Sequence, residues 1–136
     1  MSKFLDQWLY IIQDTYGNYA YQTLIETWEI DLIDEIIKKI CDNIISLSVQ
    51  KYSSCVVEKC LQYLDESRLV EMIEKVFDKA NFDIMFRSKY GYFVLIKAAT
   101  ICPYNYKKMI RDKVSVFSST LNCTEITRFN TILSIL

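Results

Sequence analysis

Histidine is absent from this chain of 136 residues, and the only glycines and proline are Gly17, Gly91 and Pro103. Without histidine the commonest general base and metal ligand are gone. Sheets and tight hairpins need more turn residues than these, so the scarcity argues for helices joined by short loops. No phosphate-binding glycine loop and no spaced cluster of metal ligands occurs, so neither catalysis nor a cofactor nor a metal is expected. The cysteines, at positions 41, 55, 60, 102 and 123, form no C-x-x-C pair and read as reduced core thiols. The opening MSKFLDQWLY lacks the basic-then-apolar order of a signal peptide, and no apolar run reaches the roughly 20 residues that span a bilayer. Asn122-Cys123-Thr124 fits the glycosylation pattern, which matters only in a secreted protein. A soluble, cytoplasmic protein with no membrane and no small-molecule substrate is the expectation.

Strong charge is missing too. The formal net charge is −1 and the pI about 5.5. A protein that holds nucleic acid by phosphate neutralisation alone is clearly basic, so that class is disfavoured. One that reads bases remains open, because a local basic strip can coexist with an acidic outer face.

What the chain does have is apolar residues, 51% of the total, enough for a core without disulfides or metal. It also has an internal repeat. YGNYAYQTLI from Tyr16, YSSCVVEKCL from Tyr52 and YGYFVLIKAA from Tyr90 align without gaps, the tyrosines standing 36 and then 38 residues apart. Each tyrosine precedes a small residue (Gly17, Ser53, Gly91), and an apolar helix core follows: Ala20, Val56 and Val94, then Tyr21, Val57 and Leu95. That period belongs to helical solenoids, in which each unit buries its apolar faces against its neighbours.

The intervening segments carry the three-and-four spacing of amphipathic helices. Residues 31–46 do so through Leu32, Ile33, Ile36, Ile37, Ile40 and Ile44, and residues 66–80 through Leu69, Met72, Ile73, Val76 and Phe77. Residues 4–12 supply Phe4, Trp8, Leu9, Ile11 and Ile12 ahead of the first repeat. Residues 105–118 read as a further outer helix after Pro103, and residues 124–136 as a closing helix. The chain is expected to be one domain: a first repeat over 1–28, a second over 29–64, a third, degenerate one over 65–102, and a C-terminal cap over 103–136.

Three columns of the aligned helices do not behave as core. The first holds Asn18, Ser54 and Tyr92, the next Tyr19, Cys55 and Phe93, and the third Gln22, Glu58 and Ile96. On a helix these positions project over one narrow arc, since i and i+4 lie only about 40° apart. Two groups able to meet the edge of a planar ligand then flank one that can lie flat against it. A serine and a glutamate on one helix face would ordinarily be a solvated stripe; the matched amide pair one unit earlier argues for a device. The tyrosine column at 16, 52 and 90 does not vary and is read as structural.

The patterns NYAYQ (18–22) and SCVVE (54–58) resemble the base-reading helices of PUF (Pumilio-homology) repeats, VVEKC (56–60) being similar to the penultimate repeat of that family and DTYGNYAYQ (14–22) to the one before it. The resemblance covers essentially the whole chain. It implies an all-α, right-handed α-solenoid of about three PUF-type repeats plus a C-terminal capping helix pair. It also implies binding of single-stranded RNA at one base per repeat, by two or three side chains each. Asn18 and Gln22, which donate and accept, suit the mixed edge of uracil; Glu58, which only accepts, suits the N1–H and N2–H donors of guanine, with Ser54 adding a bond. Tyr19, Cys55 and Phe93 are the implied stacking positions, Tyr19 as an aromatic platform and Cys55 as a weaker one. Tyr92 and Ile96 depart from the family's amide pair, so sequence-tolerant stacking, or no binding, is expected there. Lys51, Lys59, Lys89 and Lys97 are candidate phosphate contacts. With RNA running antiparallel to the repeats, the implied readout is 5′-N-G-U-3′, within GU- or UGU-containing elements of mRNA 3′ untranslated regions in post-transcriptional regulation. The alternative is an α-solenoid protein-interaction scaffold whose RNA readout is weak or lost. Other proteins on the outer face, or a partner over an N-terminal edge with no obvious cap, complete the expected contacts.

Overall fold

The computed structural model describes residues 7–27, 30–117 and 121–136, for residues 30–32 the backbone alone. Among these residues the chain is helical, with no strand: α1 (Trp8–Ile12), α2 (Gly17–Thr27), α3 (Ile30–Asp42), α4 (Ile44–Ser48), α5 (Ser53–Tyr63), α6 (Glu66–Val76), α7 (Lys79–Arg87), α8 (Gly91–Ile101), α9 (Tyr104–Ser115) and α10 (Cys123–Ile135). Phe4 and the Leu32 side chain, both expected in packing helices, lie outside the described residues.

The helices form an α-solenoid. One layer runs α2, α5, α8, α10, each against the next. A second layer of short helices, α1, α4 and α7, packs on α2, α5 and α8 respectively, and α4 also meets α7. The outer helices α3, α6 and α9 complete the units. A single core runs through all of them, from Ile12 and Tyr21 through Val57, Leu61, Ile73 and Phe86 to Phe129 and Ile132.

The structure corrects two expected helices. The segments 31–46 and 66–80 are not single helices: the chain breaks between α3 and α4 at Asn43 and between α6 and α7 at Phe77 and Asp78. Asn43 closes the first by donating its side-chain amide to the Lys39 carbonyl at 2.9 Å. The apolar spacing continues through both breaks because the short helix turns its own apolar face to the same core, burying Ile44 and Leu47 in α4 and Phe82, Met85 and Phe86 in α7.

The Tyr-small pair marks where a short helix hands over to the next one. A Cβ on Gly17 would stand 2.1 Å from the Ile11 carbonyl oxygen, and one on Gly91 would stand 2.6 Å from that of Met85. Backbone occupies that space, so glycine is required by close approach rather than by turn geometry. Ser53, in the same column, is fully buried and donates its hydroxyl to the Leu47 carbonyl at 2.7 Å. The first turns of the long helices are also capped in register. Asp14 accepts from the Tyr16 and Gly17 N–H groups at 2.9 Å each, which holds its carboxyl below the ordinary value, and Ser88 accepts from Tyr90 and Gly91. In the closing helix, Asn122 accepts from the Glu125 N–H at 2.9 Å and Glu125 accepts from the Asn122 N–H, a capping box.

Tyr21, Val57 and Leu95 are fully buried, as expected, and so are Val56 and Val94. Ala20 is not: it is exposed, on the first helix of the layer, whereas Val56 and Val94 sit on helices that pack against a preceding reading helix, α2 and α5 respectively. The expectation for the thiols is also only partly met. Cys41, Cys60 and Cys102 are buried, while Cys55 and Cys123 are exposed, and all five are free.

Candidate nucleic-acid interface

The three variable columns lie on α2, α5 and α8, the successive helices of one layer, so they form a continuous face. Each unit furnishes that face differently.

On α2, Asn18 is buried. Its amide donates to the Asp14 carbonyl at 3.0 Å and the Thr15 carbonyl at 2.8 Å, and its side-chain oxygen accepts from Gln22 Nε2 at 3.1 Å. Asn18 is therefore spent on the helix start and on its neighbour. Gln22, half-buried, lines an open hollow, and its carbonyl oxygen and second N–H bond no described residue. Tyr19 beside it is 65% exposed, a ring free to stack.

On α5, Ser54 is likewise buried and donates its hydroxyl to the Lys51 carbonyl at 3.1 Å, leaving it only acceptor capacity. Glu58 is half-buried and makes no hydrogen bond or ion pair with any described residue. Burial raises its carboxyl above the ordinary value, against a smaller opposing pull from the Lys97 ammonium. Exposed Cys55 stands one turn before it, its thiol 3.9 Å from the Lys51 carbonyl. Gln22, Cys55, Glu58, Lys59, Gln62 and Lys97 line a single open depression of about 300 Å³, so the readers of the first two units share one hollow. Gln62, four residues after Glu58 on the same face, was not singled out by the repeat columns; the i+4 step from Glu58 is the signal that points to it.

On α8 the columns close over. Tyr92 and Ile96 are half-buried against the core. The Tyr92 ring meets Phe86 at 6.3 Å and Phe93 at 5.5 Å edge-on, and the Arg128 guanidinium of α10 lies over it at 5.1 Å. Phe93 stays 56% exposed.

The four lysines divide as well. Lys51 and Lys89 each sit over the tyrosine that follows them, at 5.3 Å from the Tyr52 ring and 5.9 Å from the Tyr90 ring. Lys59 is ion-paired with Glu26 across the α2–α5 junction, which lowers its availability to a phosphate. Lys97 faces Glu58 in the hollow. Of the tyrosine column, Tyr16 is 82% exposed, whereas Tyr52 and Tyr90 are half-buried under their lysines. Among the described residues, no group of histidine, cysteine, aspartate and glutamate could hold a metal ion. No described helix is long and apolar enough to cross a membrane.

Comparison with known proteins agrees with this architecture. The sequence model of the Pumilio-family RNA binding repeat matches residues 7–41 and 43–77, that is, α1 to α3 and α4 to α6, two units of short, reading and outer helix. The chain is similar to the chloroplastic pumilio homolog 8 of Arabidopsis thaliana, with 33% identity over 93 residues covering 68% of this chain and 18% of that protein. It is also similar to Fem-3 mRNA-binding factor 1 of Caenorhabditis elegans, with 32% identity over 98 residues covering 64% of this chain and 16% of the relative. The chain thus spans less than a fifth of the length of either relative. A solved structure, a double mutant of Puf4 bound to the Cox17 RNA 3′ UTR recognition sequence, superposes with a TM-score of 0.80 over 99% of this chain and 47% of its own, at 22% identity. That likeness is one of fold.

Proposed function

The chain belongs to the Pumilio family of RNA-binding repeats, and on that footing we propose that its α2–α5–α8 face binds single-stranded RNA selectively, one base per repeat, at GU- or UGU-containing elements. Binding, not catalysis, is the activity. The observation that carries the reading is Glu58: a half-buried carboxylate with no hydrogen bond or ion pair to a described residue, in a hollow it shares with Gln22, Cys55 and Lys97. Its carboxylate oxygens face the open hollow and are free to accept from a ligand. Guanine presents two adjacent N–H donors, and a carboxylate accepts from both.

In the first unit Gln22 meets the uracil edge, and Asn18 acts through it, fixing the Gln22 amide by their mutual hydrogen bond. Tyr19 stacks on the base, worth about 1–3 kcal/mol. Ser54 adds an acceptor to the guanine unit. Ile96 offers no hydrogen bond, so the third unit contributes stacking through Phe93. Lys97 and the lysines over Tyr52 and Tyr90 are the phosphate contacts, with Lys59 released to that role only when Glu26 lets it go. The readout is 5′-N-G-U-3′, the setting an mRNA 3′ untranslated region in the cytoplasm, and the consequence post-transcriptional regulation. Proteins on the outer helices α3, α6 and α9 are the further partners.

A second reading, a protein-interaction scaffold with weak readout, draws on the closed third unit, where Tyr92 and Ile96 pack into the core. Binding of short UGU and scrambled RNAs to the chain and to its Glu58→Ala and Gln22→Ala variants separates the two. RNA selectivity lost in both variants supports the reading; equal affinity for both RNAs in all three proteins leaves the scaffold.

A further inference from the structure

Arg128 is set apart from the arginines that make ion pairs. Arg68 is bound to Asp34 at 2.7 Å, and Arg87 to Asp83 at 2.9 Å and Glu125 at 2.8 Å. Arg128 makes no ion pair or hydrogen bond with a described residue; its guanidinium lies over the Tyr92 ring at 5.1 Å. It comes from α10, the helix after α8 in the reading layer. Tyr92 occupies the column of Asn18 and Ser54, which flanks the Gln22 and Glu58 column, so the guanidinium lies over the third unit's member of that pair of columns.

We propose that Arg128 is the base-edge contact of the third unit, lent across the layer by the closing helix, and that it selects a base with two adjacent acceptors. The proposal rests on the RNA-binding reading above and deepens it. A guanidinium only donates, through a rigid fork of N–H groups. Cytosine (O2 and N3) and guanine (O6 and N7) each offer two neighbouring acceptors, all reachable in a single strand. Uracil interposes its N3–H between its carbonyls, and adenine sets its amino group beside N1 and N7. Tyr92 holds the planar group by cation–π contact while Phe86 supports the ring from its edge, so the side chain is ordered before RNA arrives. Phe93, exposed beside Tyr92, supplies the stacking surface. Ile96 then needs no polar atom, because the edge contact comes from the next helix.

The test is fluorescence anisotropy with four short RNAs that differ only in the base immediately 5′ of GU, against the full chain and its Arg128→Ala, Arg128→Lys and Glu58→Ala variants. Cytosine or guanine at that position is expected to bind about tenfold tighter than uracil or adenine, with the preference erased by Arg128→Ala and by Arg128→Lys. Glu58→Ala is expected to weaken all four RNAs and keep the preference. If the wild type has no preference at that base, or Arg128→Ala leaves it intact while Glu58→Ala weakens binding, the role of Arg128 is overturned and the RNA-binding reading stands. Retention of the preference by Arg128→Lys overturns it too, since a point charge cannot supply the fork. If no RNA binds selectively and Glu58→Ala changes nothing, the reading fails and this inference with it.

Discussion

The second and third reading helices, α5 and α8, are built on the same frame and finished in opposite ways. Both start against a carbonyl near the end of a short helix, Ser53 on Leu47 and Gly91 on Met85, and both bury the same columns, Val56 with Val94 and Val57 with Leu95. On the outward face α5 leaves a carboxylate with no hydrogen bond or ion pair to a described residue, whereas α8 packs a tyrosine and an isoleucine, each half-buried, against the core and roofs the ring with Arg128. The frame is therefore set by columns restricted to small or apolar residues, and the finish varies on top of it. A carboxylate free of protein hydrogen bonds offers a ligand its own acceptors; a packed tyrosine ring and an isoleucine offer no edge contact of their own.

Breaking the shared frame should have the largest effect. Gly91→Val forces a branched side chain onto the Met85 carbonyl, where even a Cβ would lie at 2.6 Å, and is expected to destabilise by about 3 kcal/mol in chemical denaturation. Ser53→Ala, which removes only the bond to Leu47, is expected to cost about 1 kcal/mol. A Gly91→Val protein as stable as the wild type would mean that the two helices are not seated alike.

Erasing the finish of α5 comes next. Glu58→Ala is expected to reduce discrimination of guanine from adenine by about 1–3 kcal/mol in RNA titrations while leaving the fold at least as stable, because a partly desolvated charge with no hydrogen bond to a described residue is removed. Ile96→Ala, at the same position of α8, is expected to leave base discrimination untouched and to lower stability through lost packing. Grafting the finish of α2 onto α8, with Tyr92→Asn and Ile96→Gln together, should move the base 5′ of GU toward uracil by roughly fivefold, measured on the same four RNAs. No change in preference after the graft would show that the columns do not read bases.

The smallest effect is one of pH. Burial raises the Glu58 carboxyl above its ordinary value. The native state then binds protons that the unfolded chain releases, so stability falls as pH rises from the ordinary carboxylate value through the raised one. Guanine binding runs the other way, because a protonated carboxyl accepts less well. Acidifying from neutrality should raise the melting temperature slightly and weaken RNA binding over the same interval, and Glu58→Gln should flatten both contributions.

Much of this was legible in the sequence, and the unread parts share a physical reason. The repeat period gives the stacking, and the i, i+1, i+4 columns give the face, because both follow from helix geometry alone. The breaks at Asn43 and Asp78 hide inside an unbroken apolar pattern, since the short helices face the same core as the outer ones. Asn18 and Ser54 read as free polar groups until their hydrogens are seen to close the first turn of their own helices. Lys59 reads as a phosphate contact until Glu26, 33 residues away, is found against it. Arg128 was invisible for the same reason: α10 lacks the Tyr-small start that aligns the other units, and its contact with Tyr92 exists only after folding. Local geometry can be read from spacing; partners brought together across the solenoid cannot.

The most direct test of Glu58 as the guanine reader is to remove one donor from the base rather than the acceptor from the protein. Inosine keeps N1–H and lacks the 2-amino group, so replacing the guanine of a UGU RNA by inosine deletes one charge-assisted hydrogen bond. Measured by anisotropy on the wild type and on Glu58→Ala, the replacement is expected to weaken the wild type about tenfold and the variant not at all. An equal loss in both proteins, or no loss in the wild type, would contradict the assignment of guanine to Glu58.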